Sequence, residues 1–183
     1  ADTEPETETR LLVHVDNVTV IFLVGLITAI ILHEISHGVV AKLLGDNTAK
    51  EAGRLTLNPI AHVDPFGSIV LPLLGALTHN PVIGWAKPVP VDPARLHHRR
   101  RDMLIVSLAG PAMQLPLIIL ISAAFKFGWV QNDPESLASV SLGFLLQLEI
   151  SSLILNLLPV PPLDGFQAIA PWLPGEMRER LYA

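Results

Sequence analysis

Cysteine is absent from the 183 residues. That excludes a disulfide framework and any thiolate metal site, so a bound metal has to be held by His, Asp or Glu. Charge is scarce as well: Asp, Glu, Lys and Arg make up 16% of the chain, against roughly 25% in an ordinary soluble domain. Aromatic residues contribute only 5%, while half of all residues are apolar, which excludes a disordered chain. The apolar content comes from Leu, Ile, Val and Ala gathered into long stretches, as expected where lipid is the outer solvent. A net charge of −5 offers no basic face, so nucleic acid is not expected as a partner. The chain starts at Ala1 rather than Met, which leaves room for a removed upstream segment. Its first ten residues are polar and acidic and show no signal-peptide pattern.

Three segments are long enough to cross a bilayer. Residues 18–32 carry no charge, and the apolar run continues past His33, Glu34 and His37 to Leu44, about 40 Å of helix against a hydrocarbon core of about 30 Å. Residues 103–125 form a second uncharged run, in which Gly110, Pro111 and Pro116 predict a kink or close packing. Residues 137–158 form a third, with Glu149 as its only charge, stopped by Pro159, Pro161 and Pro162. Between the first two lies 66–78, FGSIVLPLLGALT, too short to span and better read as re-entrant or interfacial. The expected fold is an all-α polytopic membrane protein with about three transmembrane helices plus this segment. Its expected division is a polar lead over 1–17, a core over 18–170 and a short C-terminal tail over 171–183. Residues 87–101 hold five Lys or Arg, and the positive-inside rule places that loop in the cytoplasm. Trp85 and Trp129 flank apolar segments as interfacial anchors.

The first span contains His33-Glu34-Ile35-Ser36-His37. On a helix, i and i+4 bring both imidazoles to one face, where they can share a zinc ion, and Glu34 beside them can take a proton from water. With this composition, chance yields about 0.01 such pentads in the chain. Two helical histidines satisfied by neighbours are the bland alternative, and three ionisable groups inside an apolar span weigh against it. A hydrolytic zinc needs a third protein ligand. Asp164, in Pro161-Pro162-Leu163-Asp164-Gly165 just past the third span, reaches the pentad's end of the membrane if 66–78 does not cross. His62 and Asp64 read as turn chemistry near Asn58-Pro59 and Asp64-Pro65. His97 and His98, beside Arg99, Arg100 and Arg101, read as a headgroup-facing patch.

The motifs HEISHG (33–38), LGDNTAKEAGRLTLNPIAHVDPFGSIVLP (44–72), GWAKPVPVDP (84–93), SLAGPAMQ (107–114) and NLLPVPPLDG (156–165) together resemble the site-2 proteases. These are intramembrane zinc metalloproteases, and the resemblance is closest to the small bacterial type without a PDZ domain. It implies His33, His37 and Asp164 as ligands of one zinc ion per chain and Glu34 as the catalytic base. It also implies Asn156 as a polar group near the substrate or oxyanion, and cleavage of a membrane-spanning protein substrate within a bilayer. The implied location is the bacterial inner membrane, multi-pass, with the active site toward the cytoplasm. Two positions depart from the family pattern. Gln114 stands where Asn is usual and is expected to shift a contact between helices; Phe166 follows Asp-Gly where a small residue is common and is expected to narrow the site. Glu149 is expected to pair with a serine or with a group from another span. A proteolytically inactive zinc-binding membrane protein is the alternative, and an intact Glu34 between the ligands argues against it. Oligomeric state is left open.

Overall fold

The computed structural model describes residues 17–71, 74, 78, 85–175 and 177. The expected polar lead, apart from Asn17, and most of the C-terminal tail lie outside these residues, as do Pro72, Gly75 and much of the rest of the 66–78 segment. Among the described residues there is helix and no strand.

Helix α1, Asn17–Leu43, carries the pentad, and its Val20–Leu43 portion is long and apolar enough to span a membrane. It ends in a Schellman motif. Gly45 takes φ 109°, which costs a glycine no Cβ clash, and two bonds close the turn: Gly45 N–H to Lys42 O at 3.2 Å and Asp46 N–H to Ala41 O at 2.9 Å. Fully buried Asp46 then starts α2, Thr48–Glu51. Its carboxylate accepts from Thr48 N–H at 2.9 Å, from the Thr48 hydroxyl, and from Asp92 N–H at 2.7 Å, pinning the loop at residue 92 beneath the end of α1. Burial raises its pKa, and these donors outweigh burial and hold the carboxyl below the usual carboxylate range.

Helix α3, Arg99–Lys126, and helix α4, Leu137–Asn156, are the other two elements long and apolar enough to span. Asp102 caps the start of α3 by accepting from His98 N–H at 2.7 Å. Pro111 and Pro116 sit inside α3 without ending it, and Gly110 is closely packed, as predicted. Ser136 accepts from Ser139 N–H to start α4, which stops at Asn156, two residues short of the predicted limit and just before the prolines. Helix α5, Asp164–Ile169, follows, then a 3-10 turn, Ala170–Trp172. α1 packs on both α3 and α4, α3 packs on α4, and α5 docks against α3.

The solvation pattern is inverted relative to a water-soluble bundle. Along the spans most exposed side chains are apolar, among them Val24, Ile27, Ile119, Leu120, Phe144 and Ile154, whereas His37, Ser107, Gln114, Ser141 and Glu149 are buried. Lipid solvates the first set, and the second belongs in a bundle interior, where polar groups find partners. The chain is a membrane protein, and its described residues include three helices long and apolar enough to span, as its composition predicts.

Of the short apolar segment, the structure describes a π-helical turn, Pro65–Val70, after a 3-10 turn, Pro59–His62. Asn58 Oδ1 accepts from Ile60 N–H, and Asp64 Oδ1 accepts from Phe66 and Gly67 N–H. His62 is buried, with Nε2 2.9 Å from Thr56 O. These contacts are the expected turn chemistry.

Candidate metal centre

One turn of α1 separates His33 from His37, and their Nε2 atoms lie 3.2 Å apart. The third group arrives from the far end of the described chain. After α4 the backbone folds back on itself, because Gly165 has no Cβ to strike the Leu157 and Leu158 carbonyls. This turn brings Asp164, the first residue of α5, against α1. Asp164 Oδ2 is 3.1 Å from His33 Nε2, and Oδ1 is 3.5 Å from His37 Nε2.

These separations test the fit to a metal. Four ligands about 2.0–2.1 Å from a tetrahedral zinc stand about 3.3–3.4 Å from one another, close to all three observed edges. Asp164 Oδ2 is buried without a hydrogen bond despite its nearness to His33, as befits atoms converging on a shared ion. Gly110 of α3 supplies the room: a Cβ there would overlap the ring nitrogens of both histidines. Burial raises the pKa of Asp164, but the two imidazoles outweigh it and bring the carboxyl down to about 2, so it faces them as an anion. Two nitrogens and one carboxylate, with no thiolate, suit zinc.

The surroundings orient these groups. His37 Nδ1 is 2.7 Å from the Val106 carbonyl of α3, which leaves Nε2 for the metal. Glu34 lies beside both ligands, and its Oε2 accepts from Val89 N–H at 2.8 Å. Residues 85–90, free of regular structure, are tied along one side: Trp85 N–H donates to Gly67 O at 3.2 Å and Lys87 N–H to His62 O at 2.9 Å. A cavity of about 720 Å³ opens in front of the triad, lined by Glu34, Ala86, Val89, Ser107 and Asn156 among others. A second, of about 640 Å³, lies behind His33 and reaches Gln114, Glu149 and Ser152.

The structure thus gathers His33, Glu34, His37 and Asp164 into one centre and puts Asn156 on its wall. Asn156 Nδ2 donates to Ser152 Oγ at 3.3 Å. Gln114 of α3 and Glu149 of α4 are both buried and line the second cavity together. Phe166 corrects its expectation: it is 2% exposed and lines neither cavity, because it turns inward from α5 while Asp164 turns to the metal. Trp85, expected as an interfacial anchor, also borders both cavities and packs against Phe66, with ring centroids 6.1 Å apart. His97 serves the backbone, its N–H bonding Leu44 O. Sequence reasoning read Gly110 only as a point of kinking or close packing, not as room for the metal ligands, and assigned no role to Val89 N–H. A Gly-Pro pair inside an apolar helix was the available signal for the first; the second is a backbone group and leaves none. Replacing Gly110 with Ala is expected to lower zinc content and cleavage together. Parental zinc content in that variant, by elemental analysis, would show that α3 yields.

Fold and site together define a group of two histidines and an aspartate that could hold a metal ion, with a carboxylate alongside, among helices long and apolar enough to span a membrane. Over 168 residues the chain is 37% identical to "Putative zinc metalloprotease YwhC" of Bacillus subtilis, covering 86% of this chain and 71% of that protein. It is 35% identical over 166 residues to "Putative zinc metalloprotease Rip2" of Mycolicibacterium smegmatis and 36% identical to the protein of that name from Mycobacterium tuberculosis. In both cases the alignment covers 90% of this chain and 61% of the relative. The chain belongs to this family of metalloproteases, which is of the site-2 protease type. No family model and no solved structure matches it.

Proposed function

We propose that this chain is an intramembrane zinc metalloprotease that hydrolyses a peptide bond in or near a transmembrane helix of a membrane protein substrate. The observation that carries this reading is the convergence of His33, His37 and Asp164, with Glu34 adjacent, on one cavity among three membrane-spanning helices. Zinc held by those three residues supplies Lewis acidity, lowering the pKa of water toward about 7 and polarising a carbonyl. Glu34 takes the proton of the attacking water and delivers it to the leaving amine. The Val89 N–H holds one oxygen of its carboxylate, so the other stays directed for proton transfer. Asn156 offers an amide donor from the cavity wall to the developing oxyanion.

A peptide bond inside a helix is shielded from attack, so the substrate has to unwind. Residues 85–90 border the cavity, are held on one side by the bonds described above, and contain Pro88 and Pro90, which have no N–H to compete for a substrate carbonyl. The substrate lies extended along this segment in our reading. The five Lys and Arg of residues 87–101 support a site near the cytoplasmic face, and the membrane in this reading is the bacterial inner membrane.

The test is cleavage of a single-span substrate co-reconstituted in liposomes. Product masses should map the cut to the substrate's span or its edge; a chelator should stop the reaction and added zinc restore it. A photo-crosslinker in that span should label residues 85–90. Cuts confined to soluble peptides would sink the intramembrane reading, and zinc binding without any cleavage would favour the inactive alternative.

A further inference from the structure

The two imidazoles of the centre are supported unequally. Both turn Nε2 to the metal position, so Nδ1 carries the proton in each. In His37 that N–H meets the Val106 carbonyl; in His33 the Nδ1 is buried and has no hydrogen-bond partner among the described residues. A metal-ligating histidine almost always donates its second N–H to a carboxylate, a carbonyl or water. Among the other buried atoms that lack a partner are Glu149 Oε2 and Gln114 Oε1. Glu149 is 2% exposed and Gln114 6%. His33, Gln114 and Glu149 all line the cavity of about 640 Å³ behind the metal position.

One donor and two acceptors left over on the wall of one cavity match the valence of a single water, which accepts one hydrogen bond and donates two. Buried waters typically make about three bonds to such groups. We propose that Glu149 and Gln114 position His33 for the metal by holding one buried water, which accepts from His33 Nδ1–H and donates to Glu149 Oε2 and Gln114 Oε1. Glu149 is then a positioning residue acting through His33, and its presence in the middle of an apolar span has a purpose. An isolated carboxyl there is costly; one that completes the hydrogen bonding behind a metal ligand is not isolated. The inference rests on His33 being a zinc ligand, as the proposed function has it.

Zinc affinity of the full chain in detergent, measured by competition with a chelator at fixed pH, tests it without an activity assay. Glu149→Leu and Gln114→Leu should each weaken zinc binding by about 10–100-fold, the usual effect of losing a supporting partner. Glu149→Gln keeps an acceptor oxygen and should restore affinity to within a few fold of the parent. The thermal midpoint of the metal-free protein should be unchanged in all three. Parental affinity in the leucine variants overturns the proposal, and so does weakened binding that appears only with a lowered midpoint, which assigns Glu149 to packing. Where Glu149→Leu does not fold, Gln114→Leu alone decides between these outcomes. A His33→Ala control separates the two readings: if it binds zinc as the parent does, the ligand assignment itself has failed.

Discussion

Glu34→Gln is expected to retain zinc and lose cleavage. The substitution keeps the shape of the side chain and an oxygen for the Val89 N–H, and Glu34 is not among the three atoms that face the metal. What disappears is the ability to take a proton. Positioned acid–base catalysis contributes about 10²–10⁴-fold, or roughly 3–5 kcal/mol of barrier at 1.36 kcal/mol per decade. Zinc content of the purified variant should equal the parent's while product formation falls by that factor. Cleavage at the parent's rate would remove Glu34 from the chemistry, and a metal-free variant would place it in the ligand set.

Asp164→Ala should do the opposite and empty the centre. Asp164 provides the only anionic ligand, and nothing else among the described residues replaces it beside the two imidazoles. The affinity loss should exceed the roughly 100-fold upper range for a supporting residue, so zinc should fall from near one per chain to a small fraction after dialysis, with His33→Ala behaving alike. The same change removes the carboxylate that meets α1 from α5. Protease nicking near residues 157–166 should therefore speed up in the variant. Zinc near one per chain in Asp164→Ala would mean that the third ligand is another residue.

Much of this was legible in the sequence because the membrane makes composition explicit. Runs of more than 20 apolar residues have few alternatives to spanning, and the observed helices match the predicted ones to within a few residues at each end. The pentad is legible because both ligands sit on one helix, where i and i+4 fix their relation. Asp164 is harder, since its approach depends on how many times the chain crosses between residues 43 and 99. The contacts that finish the site are less visible still. Val106 and Val89 act through backbone groups that any residue carries, and Gly110 acts through the side chain it does not have. Phe166 was misread because nearness to Asp164 in sequence says little about direction on a helix, where residues two apart stand about 200° around the axis from each other.

The distribution of the ligands along the chain has a temporal meaning. α1 enters the membrane with His33, Glu34 and His37 while α4 and α5 are still being synthesised, and Asp164 emerges only after all three spans. A nascent chain thus carries its base and two ligands through most of its synthesis without a complete centre. Under the proposed function, competence arrives with the turn at Gly165, and a product interrupted before it lacks the third ligand.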